Sequence, residues 1–176
     1  MTRWLSDLEQ HAWRGLMQMH AEVWAAVTRD LQADSGLSAG DYAVLVPLSE
    51  QDDHRLRVTE LARAMRWERS RLSHQLSRME KRGLIVRREC PEDARGAFAE
   101  ITEHGRTVIT TAAPHHVASV RRHFFDALTP ERVAQLSAIS DAVLAGLGGP
   151  DGPDGPGGSE AEPCPQSSSD GMNGST

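Results

Sequence analysis

Apolar residues recur at helical spacing over most of the chain, and the period shortens to that of a strand in one central stretch. Leu5, Leu8, Ala12, Leu16, Met19, Val23, Val27 and Leu31 follow one another at intervals of three and four. That is the stripe a long helix over about residues 3–33 presents on one side. Trp4, Trp13 and Trp24 widen it beyond what a surface helix needs, and Asp34-Ser35-Gly36 supplies the stop. Ser38 is placed to N-cap a second helix over about 39–49, with Tyr42, Val44, Leu45 and Leu48 as its apolar positions.

The C-terminal part is again helical. Thr102 precedes Val108, Ile109, Ala112, Val117, Val120, Phe124 and Leu128 at helical spacing, with Pro114 inside the run, where it should kink the helix or remove a backbone hydrogen bond. Thr129-Pro130-Glu131 is a restart signal, and Val133, Leu136, Val143, Leu144 and Leu147 line one side of a last helix that ends at Gly148-Gly149-Pro150. These terminal helices, about 3–33 and 103–147, carry more apolar surface than a small central domain covers. Mutual burial between two chains is the economical outcome, and helices folded back on their own core are the alternative.

Two short helices joined by a tight turn occupy about 58–82: Val58 to Met65, then Glu68 to Arg82 after Arg66-Trp67. This is a helix-turn-helix pattern. On a helical wheel, Leu72, Leu76 and Met79 cluster on one side of the second helix. Ser70, His74, Ser77 and Lys81 gather about the opposite pole, with Arg71, Ser73 and Arg78 on the flanks and Glu68 and Glu80 off the pole. A solvated face normally interleaves acids with bases, whereas this one is basic and hydroxylated, suited to phosphate oxygens and base edges. After Gly83 the period becomes that of a strand. Leu84 to Glu89 and Ala97 to Ile101 read as a hairpin wing over about 84–101, with its tip at Cys90 to Gly96. In that tip Arg95 is placed to reach a minor groove, and Asp93 to orient Arg95 or pin the wing; ordinary turn composition is the alternative. The fold class is therefore mainly α with a small β-hairpin wing: a winged helix-turn-helix lobe plus an N- and C-terminal helical dimerisation region.

The net charge of -6 is unevenly spread. Between Arg55 and Arg106 there are 13 Lys+Arg against 8 Asp+Glu, a balance of +5, and the rest of the chain carries -11. A basic block in an acidic protein points to a localised anion-binding face. Residues 148–176 hold no Leu, Ile, Val, aromatic, Lys or Arg, and are expected to form a disordered tail. No apolar run approaches a membrane span, and the first residues lack the pattern of a secretory leader, so a cytoplasmic protein is expected. Cys90 and Cys164 form no CxxC pair, which argues against a zinc ribbon or a disulfide framework.

Four segments together resemble the MarR family of bacterial regulators. They are Val58-Thr59-Glu60-Leu61-Ala62, the run Arg78-Met79-Glu80-Lys81-Arg82-Gly83-Leu84-Ile85, Asp93-Ala94-Arg95, and Ile101-Thr102-Glu103-His104-Gly105, with Leu128-Thr129-Pro130-Glu131 matching as well. The resemblance covers about residues 5–147. It implies a triangular homodimer that reads a pseudo-palindrome in double-stranded DNA, with Ser70, Arg71, Ser73, His74 and Arg78 in the major groove and Arg95 in the minor groove. Lys81 and Asp93 complete the candidate set. It further implies a repressor released by a small, often phenolic, ligand, for which Trp13, Trp24, Tyr42 and Trp67 are candidate pocket aromatics, core or interface being their other role. Metal or oxidant sensing is the alternative within the fold. The oxidant sensors' cysteine in the first helix is missing here, Cys90 lies elsewhere, and His104, His115, His116 and His123 have poor chelating spacing. No cofactor is expected. No nucleophile elbow, P-loop or dinucleotide fingerprint is present, so an enzyme is disfavoured, and a winged helix that docks proteins lacks large exposed apolar anchors on its basic face.

Overall fold

The structure, a computed structural model, describes residues 2–90 and 93–147, with backbone alone at 90 and 93–96. Helix α1 spans Asp7–Ser35, and Ser6 and Glu9 close a capping box at its start. That box sets the helix a few residues later than the apolar stripe implies, because the orphan amide groups of the first turn need its acceptors. Gly36, at φ 68°, ends α1 and returns its amide to the Gln32 carbonyl. Helix α2 (Ala39–Ser49) starts in a second capping box between Ser38 and Asp41. A three-residue strand β1 (Arg55–Arg57) precedes α3 (Val58–Met65) and α4 (Arg69–Lys81).

Strands β2 (Ile85–Cys90) and β3 (Asp93–Ile101) form the hairpin, and β1 joins the other edge of β3, giving an antiparallel sheet in the order β1-β3-β2. Two expectations are corrected here. The wing has a third strand, too short to show a period. The hairpin strands also run further than their apolar residues, so most of the expected tip is ladder, with a register shift between Glu89 and Cys90. Ile85 opposes Ile101, and Leu56 opposes Ala99, on the core side. They meet Leu45, Leu48, Leu61, Leu72, Leu76 and Met79, all buried. The other side of the sheet carries Phe98, with the Arg55 and Arg57 guanidinium groups 5.1 and 5.2 Å from its ring centre.

Helix α5 (Glu103–His123) passes unbroken through Pro114, which lacks the N–H that would meet the Thr110 carbonyl. Its start locks onto the wing base: Thr102 Oγ1 donates to the Gly83 carbonyl at 2.6 Å and accepts from Gly105 N at 2.9 Å. Gly105 permits this closeness, since a Cβ there would lie 2.1 Å from the Leu84 carbonyl oxygen. The helix ends at His123 rather than continuing to Leu128, and a 3-10 turn over Phe125–Ala127 follows. The last turn is tied to α1. Asp30 accepts from Ser119 Oγ at 2.7 Å and Arg122 Nη2 at 2.5 Å, with His123 Nε2 at 2.8 Å. These donors, Ser119 foremost and then His123 and Arg122, hold the Asp30 carboxyl well below the usual carboxylate range. Nearby, the His116 ring packs at a tilt against the Tyr42 ring of α2, centres 4.3 Å apart, and burial lowers its pKa below the ordinary 6.5.

By backbone contacts the chain divides into a unit over Met1–Val133 and a second from Ala134. In the first unit α1 buries Val27 and Leu31 alone of its stripe, while Trp4, Leu8, Trp13 and Trp24 stand exposed. Helix α6 (Pro130–Leu147) restarts after Thr129 as expected; none of its residues is buried, and Ile139, Val143, Leu144 and Leu147 are exposed.

Two outcomes follow. Gly105→Ala should destabilise by about 1–3 kcal/mol, because the new methyl meets backbone rather than a side chain that can swing away; an unchanged urea midpoint would contradict that contact. Acid should also destabilise in two windows. Below 6.5 the unfolded chain protonates His116 while the folded chain resists, so stability falls with pH. Below 3.8 the same occurs at Asp30, whose native carboxylate is favoured. Unfolding midpoints measured from pH 7 to 3 should decline through both windows, and His116→Leu should flatten the first; a pH-independent midpoint would sink both assignments.

Candidate nucleic-acid interface

The turn between α3 and α4 is built from backbone bonds. Arg66 adopts a left-handed conformation (φ 51°), its amide bonded to the Arg63 carbonyl at 3.0 Å, and Trp67 N donates to the Ala62 carbonyl at 3.0 Å. This is a Schellman closure with arginine where glycine is usual. It delivers α4 with Leu72, Gln75, Leu76 and Met79 inward. Ser70, Arg71, Ser73, His74, Arg78 and Lys81 are all exposed on the remaining surface. At the far end Gly83 (φ 69°) closes α4, with Leu84 N bonded to the Met79 carbonyl at 3.0 Å.

The inward side holds a polar network that the apolar pattern does not announce. Asp41, 2% exposed, accepts from Gln75 Nε2 at 2.7 Å and from Arg82 Nη1 at 2.6 Å. Arg82 Nη2 continues to the Gly36 carbonyl at 3.0 Å. Gln75 Oε1 in turn accepts from Arg78 Nη2, so a buried amide orients an exposed arginine. Gly40 leaves room for this amide, since a Cβ there would lie 3.1 Å from Gln75 Oε1.

A second lock joins α4 to the wing. Arg87 of β2 donates to Glu80 through its backbone N and Nε, both at 3.1 Å, and through Nη2 at 2.9 Å. Arg87 Nη2 also reaches Ser77 Oγ at 3.2 Å. Arg87 holds the Glu80 carboxyl below its usual range, so this acid of α4 is an ion-paired carboxylate. Ser77, expected at the exposed pole, is half-buried and turned to this contact.

Asp93 and Arg95 lie in β3, but their side chains, like that of Cys90, fall outside the described residues, as does the expected tail. The candidate pocket aromatics separate: Trp13 and Trp24 are exposed on α1, Tyr42 faces His116, and Trp67 underlies Arg71. Two open clefts, of about 340 and 510 Å³, meet at His54, Glu103 and Arg106 at the base of the wing. Among the described residues no group of three or more His, Cys, Asp or Glu could hold a metal ion, and no helix is long and apolar enough to cross a membrane.

Sequence reasoning missed Gln75 and Trp67 as parts of this site. Gln75 falls on the buried arc between Leu72 and Met79, a polar residue that must find a partner inside. Trp67 stands four positions before Arg71, the spacing of side chains that meet on a helix.

The pattern of the MarR family matches residues 37–96. The chain is similar to AbsC, a MarR family transcriptional regulator from Streptomyces coelicolor, at 45% identity over 83% of this chain and 98% of that one, with a TM-score of 0.77. It is also similar to Sco3205, a MarR family transcriptional regulator of the same organism solved in complex with DNA, at 41% identity over 91% of this chain and 95% of that one, with a TM-score of 0.77. The repressor YetL of Bacillus subtilis is 31% identical over 88 residues, 50% of this chain and 53% of YetL, so the match spans about half of that relative's length.

Asp41→Ala should cost about 2–3 kcal/mol, toward the lower end of what breaking a buried pair costs because Arg82 is partly solvated. Urea unfolding reads this directly; a loss under about 0.5 kcal/mol, the scale of an ordinary surface change, would show that the network does not hold α4.

Proposed function

The chain belongs to the MarR family of transcriptional regulators, and from that premise we propose that it is a homodimeric repressor that binds a pseudo-palindromic operator in double-stranded DNA. It is a regulator and not an enzyme, as its relatives are. The observation that carries the DNA reading is the exposed surface of α4, where Ser70, Arg71, Ser73, His74, Arg78 and Lys81 stand together while Glu80 is neutralised by Arg87. Guanidinium, ammonium, hydroxyl and imidazole groups on one helix suit phosphate oxygens and major-groove edges. In this reading Arg95 enters the minor groove, and Asp93 orients it. The DNA complex of Sco3205 lends support by similarity.

The dimer reading rests on two separate apolar surfaces. Leu8, Trp13 and Trp24 are exposed on α1, Trp4 just before it, and Ile139, Val143, Leu144 and Leu147 on α6, more large apolar side chains than a soluble monomer leaves in water. A second chain covering them would set two α4 helices for successive major grooves, about 34–36 Å apart. The effector is a small aromatic or phenolic organic molecule in this reading, and the protein acts in the cytoplasm, where its DNA is.

A gel-shift titration of the full chain on its own upstream intergenic DNA, with excess unrelated duplex, tests the proposal. A discrete band that survives the competitor is expected, together with a dimeric mass in solution. Arg95→Ala should weaken binding and reduce the salt slope by roughly 1. A dimer that binds the unrelated duplex equally well would refute sequence-specific repression.

A further inference from the structure

Arg71 is the third residue of α4, and its guanidinium carbon lies 4.2 Å from the centre of the Trp67 ring. Among the described residues no carboxylate pairs with it. Three other arginines at α4 and the wing have committed donors, whereas Arg69, exposed at the first position of α4, has no aromatic ring beneath it among the described residues. Arg78 gives Nη2 to Gln75, Arg82 gives both terminal nitrogens to Asp41 and Gly36, and Arg87 gives Nε and Nη2 to Glu80 and Ser77. Trp67 is itself fixed: its amide closes the turn on Ala62, and its half-buried ring packs against the core.

A carboxylate orients an arginine by occupying its N–H groups. An aromatic ring orients it through the flat face of the guanidinium and leaves the N–H groups at the edge unused. We infer that Trp67 is a positioning residue that holds Arg71 by its face, so that its free fork reads a guanine through O6 and N7 in the major groove. The inference rests on the DNA-binding reading of α4 and assigns one contact within it. Holding the side chain in place before DNA arrives lowers the ordering cost of binding, and a solvent-accessible cation over an aromatic ring favours that arrangement by roughly two- to fivefold.

The test uses the full chain in fluorescence-anisotropy titrations on a duplex that the wild type selects from a random-sequence pool. Each guanine of that duplex is then replaced in turn by 7-deazaguanine, which lacks the N7 acceptor. Trp67→Leu should weaken binding roughly two- to fivefold, Trp67→Tyr should restore most of it, and Trp67→Leu should cost nothing further in an Arg71→Ala background. Arg71→Ala should lose roughly tenfold or more on the selected duplex. One 7-deazaguanine should weaken the wild type but leave Arg71→Ala unaffected.

An equal loss from Trp67→Leu with and without Arg71 would overturn the positioning role, since the ring would then act through the fold. Equal weakening of every duplex by Arg71→Ala, with a shallower salt slope, would overturn the guanine contact in favour of a phosphate. Unaltered binding by Arg71→Ala would overturn the inference alone. A wild type that selects no duplex would overturn the DNA reading with it.

Discussion

The structure turns on one buried charge. Asp41 is 2% exposed, and a carboxylate withdrawn from water to that degree is tolerable only when donors surround it. Three reach it: the Ser38 amide at 2.9 Å, Gln75 Nε2 at 2.7 Å and Arg82 Nη1 at 2.6 Å. They come from different parts of the chain. The first starts α2, the second lies midway along α4, and the third follows its end. Because Arg82 also holds the Gly36 carbonyl, the same centre reaches the cap of α1. Replacing such a site with apolar residues often leaves stability unchanged; what the ions supply here is a register that apolar packing alone would leave loose.

That register decides which side chains of α4 face outward. Leu72, Leu76 and Met79 would tolerate modest rotation of the helix, since apolar contacts are not directional. Gln75 would not, because a turn that withdrew its amide would leave the Asp41 oxygen short of a donor. Glu80 and Arg87 repeat the device at the other end, where a directional ion pair joins α4 to β2. The exposed set, Ser70 to Lys81, is thus defined from behind by two polar locks.

Much of this was legible in the residue order, and what escaped it has a common cause. The spans of α2, α3 and α4 follow from helical spacing with caps at Ser38 and Gly83, and Thr102 marks the start of α5 because each cap acts within a few residues. The exposed side of α4 follows from the positions of three apolar residues. Strand β1 does not: Arg55-Leu56-Arg57 is too short to show a period and exists because β3 offers it an edge. The contacts of Asp30 with Ser119, Arg122 and His123 span 89 to 93 positions of sequence and leave no local pattern. Asp41 and Gln75 are 34 positions apart, and no local pattern ties them. Ser77 shows the limit of wheel geometry, since its angle points outward while Arg87 draws it into a contact.

The same pairings explain how an acidic chain presents a basic surface. Net charge sets the field far from a protein, but within a Debye length the nearest unpaired groups dominate. At α4 two carboxylates that could oppose an anion are taken up, Asp41 by Arg82 and Glu80 by Arg87, which leaves Glu68 exposed at the N-cap. The arginines that neutralise them are correspondingly withdrawn. What remains outward is a subset chosen by these pairings: Arg71 against an aromatic face, Arg78 with one donor on an amide, and Arg69, His74 and Lys81 exposed. Charge counts along the sequence locate the basic block, but only the three-dimensional pairing says which of its cations have donors left to give. On that measure the 13 basic residues between Arg55 and Arg106 reduce, at α4, to a few exposed side chains set in one register.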